Sequence, residues 1–392
     1  MRSGLFGNVI SFCAAILLFY SMAPCQTPGT VNLPSSLADQ SVKIENAILS
    51  KPQKITYCEG PVVDKDGNLF FSEQMAGIVW KLTSGGNISK FLTFNNQYAN
   101  GMDYAPDGNL VICEKDRITE RDANGNLVKV ITSGNTWGQG ANDLTFSSNG
   151  DMFFTAFNQH FWFHSKDSSI NRDYNFTTPS NICFNGIEYL EEKGIIYLCQ
   201  WGLNKVIKCK VSTDGVVDTA NKITFCTING PDGITVDANY NVYIASNSGS
   251  TGGIYVYDST GNQIGTILMR QDNDPSMNAS NCVFGGPDNK ILYITGDSGA
   301  YKVQLKIPGR VRPGGVGVRK YQNSIQNVKN GYVSSSVQAF INNSNSANEI
   351  LTGNMENNNI FYDIAGRTIN FPGNHHNRTA SNLYILKRTS SR

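Results

Sequence analysis

Histidine is scarce in this chain, with 4 among 392 residues, and none of the 9 cysteines lies in a CxxC pair or at a spacing to histidine that would make a zinc site. Charge of either sign is not in excess: 32 basic and 31 acidic side chains leave a formal net charge of +1. That balance gives no electrostatic footprint for nucleic acid or an anionic membrane surface. After residue 25 no apolar run reaches the ~20 residues that a membrane helix needs. The WD and kelch signatures of common repeat proteins are also missing, so any repeat must be read from its own residues. Glycine is plentiful instead, at 38 residues, which suits a chain with many tight turns.

The first 25 residues have the layout of a secretory signal peptide. Arg2 is the positive start and Val9–Phe19 (VISFCAAILLF) an apolar stretch too short to span a bilayer. Ala23-Pro24-Cys25 offers small residues for cleavage before Gln26, with lipid attachment at Cys25 as the rival. The expected protein is exported, secreted or held at the cell surface, and passes through the periplasm. Seven cysteines follow Cys25, an odd number, so at least one is expected free; Cys209 and Cys226 are a candidate pair across an outer-strand turn.

Six stretches share one pattern: EGPVVDKDGNLFFSE (59–73), NGMDYAPDGNLVICE (100–114), NDLTFSSNGDMFFTA (142–156), NGIEYLEEKGIIYLC (185–199), GPDGITVDANYNVYIAS (230–246) and FGGPDNKILYITGD (284–297). Each is a strand, a turn and a returning strand. The turn positions Gly67, Gly108, Gly150, Gly194 and Tyr240 are separated by 41, 42, 44 and 46 residues. A period of that length made only of short strands predicts an all-β, six-bladed propeller, one blade per repeat. The sixth repeat lacks a fourth strand before Pro308, and Ser41–Ser50 has strand composition. That segment is therefore expected to supply the missing outer strand and close the ring, removing exposed sheet edges. The divisions are a lead-in over 26–44, the propeller over 45–309, a linker over 310–334 and a small C-terminal β module over 335–392.

In a propeller all first strands run the same way along the channel. Glu59, Asn100, Asn142, Asn185, Asp232 and Phe284 are thus predicted to converge at one end. The residues after each second strand would rim it: Glu73, Glu114, Phe157–His160, Gln200–Trp201, Ser246–Asn247 and Asp297. Rigid rings bearing loops are where function is expected. The converging set is one Glu, one Asp and three Asn, with no Cys or His. Hard oxygen donors with two negative charges suit Ca²⁺, with Zn²⁺ or Mg²⁺ as other candidates. The competing reading is that Asn-Gly and Pro-Asp-Gly are only turn residues. His160 and His164, four apart, are read as strand residues, with His160 at the pocket rim; Trp201 is a candidate pocket wall.

Glu59-Gly-Pro with DGNLFFSE, Asn100-Gly-Met with PDGNLVICE, Asn142-Asp, Asn185-Gly-Ile, Gly-Pro-Asp232-Gly-Ile, and CVFGGPD (282–288) with LYIT resemble the gluconolactonase/regucalcin-like family over roughly residues 45–309. The resemblance implies a six-bladed propeller with a divalent metal in its channel. It places Glu59, Asn142, Asn185 and Asp232 at the metal-binding positions, Asp232 also at the catalytic carboxylate, and Asn100 and Asn142 where substrate contacts are expected. Glu114-Lys-Asp and AFNQHFWFH (156–164) depart from the family's loops beside the pocket. The implied activity is metal-dependent opening of a sugar lactone or similar ester, with Asp232 as general base. The alternatives are phosphotriester hydrolysis, or a non-enzymatic propeller that binds a glycan or protein. Beyond the propeller, Asn342–Asn359 is rich in Asn and Ser, and YDIAGRTI (362–369) with LYILKR (383–388) resembles the C-terminal sorting domain of the type IX secretion system, Asp363, Gly366 and Arg367 among its matching residues. That implies secretion machinery as a partner.

Overall fold

A computed structural model describes residues 29–314, except 96–97, 134–139, 178, 249–250 and 270–276, and four short strands in the tail. The signal-like segment 1–25 and residues 315–350 lie outside the described residues.

Six antiparallel sheets form the blades of a propeller. The inner strands are Cys58–Val63, Ala99–Tyr104, Ala141–Phe146, Phe184–Leu190, Pro231–Val236 and Ala279–Gly285. Each inner strand contacts the inner strands of the next blade and the last, and Ala279–Gly285 contacts Cys58–Val63, so the ring is closed. The sixth blade has three strands of its own, and Glu45–Asn46 supplies the fourth by pairing with Lys302 and Tyr301, as the sequence suggested. Upstream, Thr30–Asn32 adds a fifth strand to blade 5, against Thr266–Leu268. The joint between blades 6 and 1 is tightened by the Ser280 hydroxyl, which donates to the Cys58 carbonyl at 2.5 Å.

Strand residues in these blades are buried on both sides, which explains apolar runs such as LFF (69–71) and MFF (152–154) in place of clean alternation. Neighbouring residues point into different inter-blade cores. Phe70 packs with Met102 and Ile112 between blades 1 and 2, and Phe71 with Val283 and Tyr293 between blades 6 and 1. Phe154 and Phe153 divide in the same way between blades 2/3 and 3/4. Among the described residues there are six such clusters, one for each interface between blades. The seven described cysteines are all free. Cys209 pairs across the sheet with Ile196 and Cys226 with Val206, on separate partner positions, so the candidate disulfide is not formed.

Every inner strand carries a register shift at the same phase, where two of its residues oppose one on the second strand. A β-bulge of this kind re-aims side chains. It falls at Asn100-Gly101, Asn142-Asp143, Asn185-Gly186, Asp232-Gly233 and Ser280-Asn281, and beside Glu59-Gly60. The Asn-Gly pairs are therefore bulges inside strands and not hairpin turns. A Cβ at Gly186 would stand 2.2 Å from the Asp232 carbonyl oxygen, and one at Gly101 2.5 Å from that of Asn142. Glycine is required there because the inner strands approach so closely. In blade 6 the register puts Ser280 at this phase, opposite the Gly296 end of the second strand. Phe284, expected at the channel mouth, pairs with Leu292 and packs in the core between blades 5 and 6. Phe284 stands only 5 residues before the turn at Asn289, whereas the converging residues of the other repeats stand 8 or 9 residues before theirs.

The chain leaving blade 6 crosses the far end of the channel. Ala238 donates its N–H to the Pro308 carbonyl and Arg310 to that of Val236. The Arg310 guanidinium then bonds Glu188 at 2.8 Å and Glu192 at 3.3 Å. Arg312 bonds Glu188 and lies 3.8 Å from Asp103. Residues 310–312, expected to begin a linker, thus reach the channel carboxylates. In the tail, Leu351–Asn354 pairs with Phe361–Asp363 and Asn382–Ile385, and Phe361–Asp363 pairs with Thr368–Ile369. These pairs form a small sheet. Phe361–Asp363, Thr368–Ile369 and Asn382–Ile385 overlap the stretches with strand composition, but Leu351–Asn354 lies in the Asn/Ser-rich stretch, which was expected to be a linker.

Replacing Arg312 by Ala leaves a buried Glu188 with less compensation, a change that costs roughly 3–5 kcal/mol. The expected result is a lower urea midpoint at an unchanged slope. A loss below about 1 kcal/mol would contradict the role given to Arg312.

Candidate active site

The bulges bring Glu59, Asn100, Asn142, Asn185 and Asp232, from blades 1 to 5, onto one cavity of about 220 Å³ at the channel mouth. Tyr57, Gln74, Met75, Tyr98, Gly140, Phe157, Trp201 and Asn247 complete its lining. No Lys, Arg or His is in that set. Trp201 is 38% exposed and packs at 5.5 Å against Phe157, and Met75 is 79% exposed, so the outer wall is apolar and the floor polar.

Two of the expected contacts lie elsewhere. Glu114 ends the second strand of blade 2, and its fully buried carboxylate accepts from Thr119 at 2.5 Å, Arg117 at 2.6 Å and Arg121 at 3.0 Å. It ties the third strand to the second and does not line the cavity. His160 opens the third strand of blade 3 and is not among the residues lining the cavity. Its Nδ1 sits 2.7 Å from Asp173 and its ring stacks on Trp162. Glu73, a rim candidate, is similarly taken, accepting from Thr56 and from the Trp80 indole at 3.0 Å. Phe157, Trp201 and Asn247 do line the mouth, as expected of residues following second strands. Tyr57, Gln74, Met75, Tyr98 and Gly140 were not anticipated.

Tyr57 precedes the first strand of blade 1 and bridges the two acids of the floor. Its hydroxyl lies 3.1 Å from Glu59 Oε1 and 3.3 Å from Asp232 Oδ2. Glu59 Oε2 accepts from the Gly60 N–H at 3.1 Å. Burial pushes the Asp232 carboxyl well above its usual range, and the nearby Glu59 charge adds to the rise. Glu59 is likewise raised by burial, against the opposing hydrogen bonds of Gly60 and Tyr57. Two buried carboxylates that one hydroxyl can touch disfavour joint ionisation unless a cation compensates them.

The donors fit a hard divalent cation. They are two carboxylates and the side-chain amides of Asn142 and Asn185, with neither thiol nor imidazole, and oxygen ligands of this sort suit Ca²⁺. Asp232 Oδ1 is buried and has no hydrogen-bond partner among the described residues, so it is open to a cation or a water. Among the described residues no group of three or more His, Cys, Asp and Glu side chains is placed to hold a metal, so a site here depends on the asparagines.

Residues 57–298, more than half the chain, match the family model described as the SMP-30/Gluconolactonase/LRE-like region. The protein belongs to that family. It is 25% identical over 256 residues to a protein named lactonase drp35 from Staphylococcus haemolyticus, covering 61% of this chain and 78% of that one. Among solved structures it resembles a gluconolactonase from Xanthomonas campestris with a TM-score of 0.60 and 19% identity, over 72% of this chain and 97% of the other. It also resembles a calcium-binding regucalcin from Agrobacterium tumefaciens, with a TM-score of 0.57 and 15% identity, over 73% and 97%. At these identities the structures establish the shared propeller.

Below the mouth lies a second polar layer. Burial raises the Asp103 carboxyl to about 7, against the opposing charge of Arg312. At Glu188, burial also opposes ionisation but Arg312 and Arg310 outweigh it, and the carboxyl is held below its ordinary value. Asp103 therefore keeps its proton in the folded state at pH values where the unfolded chain, with a carboxyl near ~3.9, has lost it. Its contribution to stability is complete below about pH 4 and disappears as pH rises towards 7, at up to about 1.4 kcal/mol per pH unit. Asp103→Asn should flatten the loss of stability between pH 4.5 and 7.5 in urea titrations. An unchanged pH slope would contradict this reading of Asp103.

Proposed function

We propose that this protein is a metal-dependent hydrolase that opens small uncharged lactones, with Asp232 as general base. The observation that carries the proposal is the floor of the mouth. There the Glu59 and Asp232 carboxylates, from two blades, face one cavity beside Asn142 and Asn185, and one oxygen of Asp232 has no partner among the described residues. The family, with relatives named lactonase and gluconolactonase, supports the same reaction class. The calcium-binding relative supports the choice of Ca²⁺ over Mg²⁺ or Zn²⁺.

Glu59, Asn142, Asn185 and Asp232 would hold the cation. Bound there, it would polarise the lactone carbonyl and stabilise the charge developing on its oxygen. Asp232 takes a proton from the attacking water as the water oxygen bonds to the carbonyl carbon. The ring C–O bond then breaks, and Asp232 returns the proton to the departing alkoxide, which leaves a hydroxy acid. Asn100, on the cavity wall, orients the substrate by hydrogen bonding. A cavity of about 220 Å³ falls below the ~300–1,000 Å³ of drug-sized sites, so the substrate is small. Met75, Phe157 and Trp201 would cover an apolar flank. Two carboxylates and one divalent cation cancel, and among the described residues no basic side chain lines the cavity to receive an anionic substituent.

Asp232→Asn should lower kcat about 100-fold or more, and chelation should abolish turnover until Ca²⁺ is restored. An uncharged lactone should be preferred over its phosphorylated counterpart by at least about tenfold in kcat/KM, roughly the 1.4 kcal/mol of one absent charge-assisted hydrogen bond. Turnover that survives both chelation and the Asp232 substitution would sink the proposal. If metal still raises the melting temperature but no lactone or phosphotriester is hydrolysed, the propeller is a binding module.

Export completes the proposal: residues 1–25 direct secretion, and residues 335–392 hand the protein to sorting machinery at the cell surface. Sequencing the N-terminus of the exported protein should read from Gln26; a chain still beginning at Met1 would contradict it.

A further inference from the structure

Tyr57 and Asn247 meet at the cavity floor but belong to neither the proposed ligand set nor the packing core. Tyr57 stands at the entry to blade 1 and Asn247 at the exit of the second strand of blade 5. Both are pinned through the backbone: the Gln74 N–H donates to the Tyr57 carbonyl at 3.1 Å, and the Asn247 N–H to that of Gly230 at 2.9 Å. The Asn247 amide donates to the Tyr57 oxygen at 2.8 Å and lies 3.3 Å from Asp232 Oδ2. Since the phenol oxygen receives that N–H, its own O–H is directed towards the acids, Glu59 Oε1 at 3.1 Å and Asp232 Oδ2 at 3.3 Å.

We infer that Tyr57 and Asn247 form a clamp that decides which oxygen of Asp232 works. Rotation about the last torsion of an aspartate is broad and nearly two-fold, so an unclamped carboxylate would exchange its two oxygens. Here Oδ2 is engaged by both donors, while Oδ1 is buried without a partner among the described residues. Oδ1 is then the oxygen open to both the cation and the attacking water, with one lone pair for the cation and one for the water's proton. The same phenol, by touching Glu59 as well, fixes the spacing between the acids of blades 1 and 5. Tyr57 and Asn247 are positioning residues, acting through Asp232 and Glu59. The inference rests on the hydrolase reading for its catalytic consequence, and on the geometry alone for its effect on cation binding.

The test is Tyr57→Phe in the full chain, which keeps the ring and removes only the hydroxyl, with Asn247→Ser as the second variant. Outer partners of ligating groups typically contribute 10–100-fold in affinity or activity. Calorimetric titration of Ca²⁺ into the metal-free protein, without substrate, should show a dissociation constant weaker by roughly 10-fold or more in each variant. On a lactone, kcat should fall by roughly 10–100-fold while KM stays within about threefold. The double variant should lose less than the product of the single losses, because both groups hold one oxygen. Wild-type Ca²⁺ affinity and wild-type kcat in Tyr57→Phe, or single losses that simply multiply, would overturn the clamp. If the wild-type protein hydrolyses no lactone but Tyr57→Phe still binds Ca²⁺ more weakly, the hydrolase reading falls and the clamp stands. If the wild-type protein is active and Tyr57→Phe is indifferent, the clamp falls alone.

Discussion

The close approach of neighbouring inner strands is the constraint on which the site depends. Gly60, Gly101 and Gly186 each face the backbone of the next inner strand, at distances no Cβ could occupy. That contact draws the strands together around a narrow channel. The bulge beside each glycine turns the preceding polar side chain inward. One backbone device, repeated with small variations, therefore sets both the radius of the ring and the position of Glu59, Asn100, Asn185 and Asp232. Blade 3 varies it, with Asp143 after Asn142, and blade 6 varies it with Ser280 and Asn281. In blade 6 the hydroxyl closes the ring onto Cys58 instead of facing a ligand.

A narrow channel lined by acids creates an electrostatic problem that the protein resolves differently at its two ends. At the far end Arg310 and Arg312 arrive from the segment after blade 6 and keep Glu188 ionised. At the mouth no basic side chain among the described residues lines the cavity, and Glu59 and Asp232 share a tyrosine hydroxyl. Protein charges satisfy one end, and at the mouth the proposed cation would do so. Under the proposed hydrolase, this asymmetry suits Asp232, and not Glu188, to exchange a proton.

The architecture was legible because its signals are local and repeated: six hairpins at a steady spacing, and strand composition before the first of them. The convergence of five polar residues followed from strand direction alone. The chemistry of the Asn-Gly pairs was harder, because the same dipeptide marks hairpin turns, and only the register reveals a bulge. Register also moved the sixth position from Phe284 to Ser280. Glu114 and His160 lie at the correct sequence distance from the mouth, but pleating and strand order turn them towards Arg121 and Asp173. Tyr57 falls just outside the repeating unit and has no periodic signal. Arg310 and Arg312 looked like part of a glycine-rich linker, since their partners Glu188 and Asp103 lie more than a hundred residues away in sequence.

The central claim is that oxygen donors from blades 1, 3, 4 and 5 form one cation site at the channel mouth. The most direct measurement is a crystal structure of the protein grown with Mn²⁺, read by its anomalous scattering. The account predicts one strong peak bounded by Glu59, Asn142, Asn185 and Asp232 Oδ1, with Tyr57 and Asn247 still on Oδ2. A mouth without a peak, or a metal bound only elsewhere on the molecule, would contradict it.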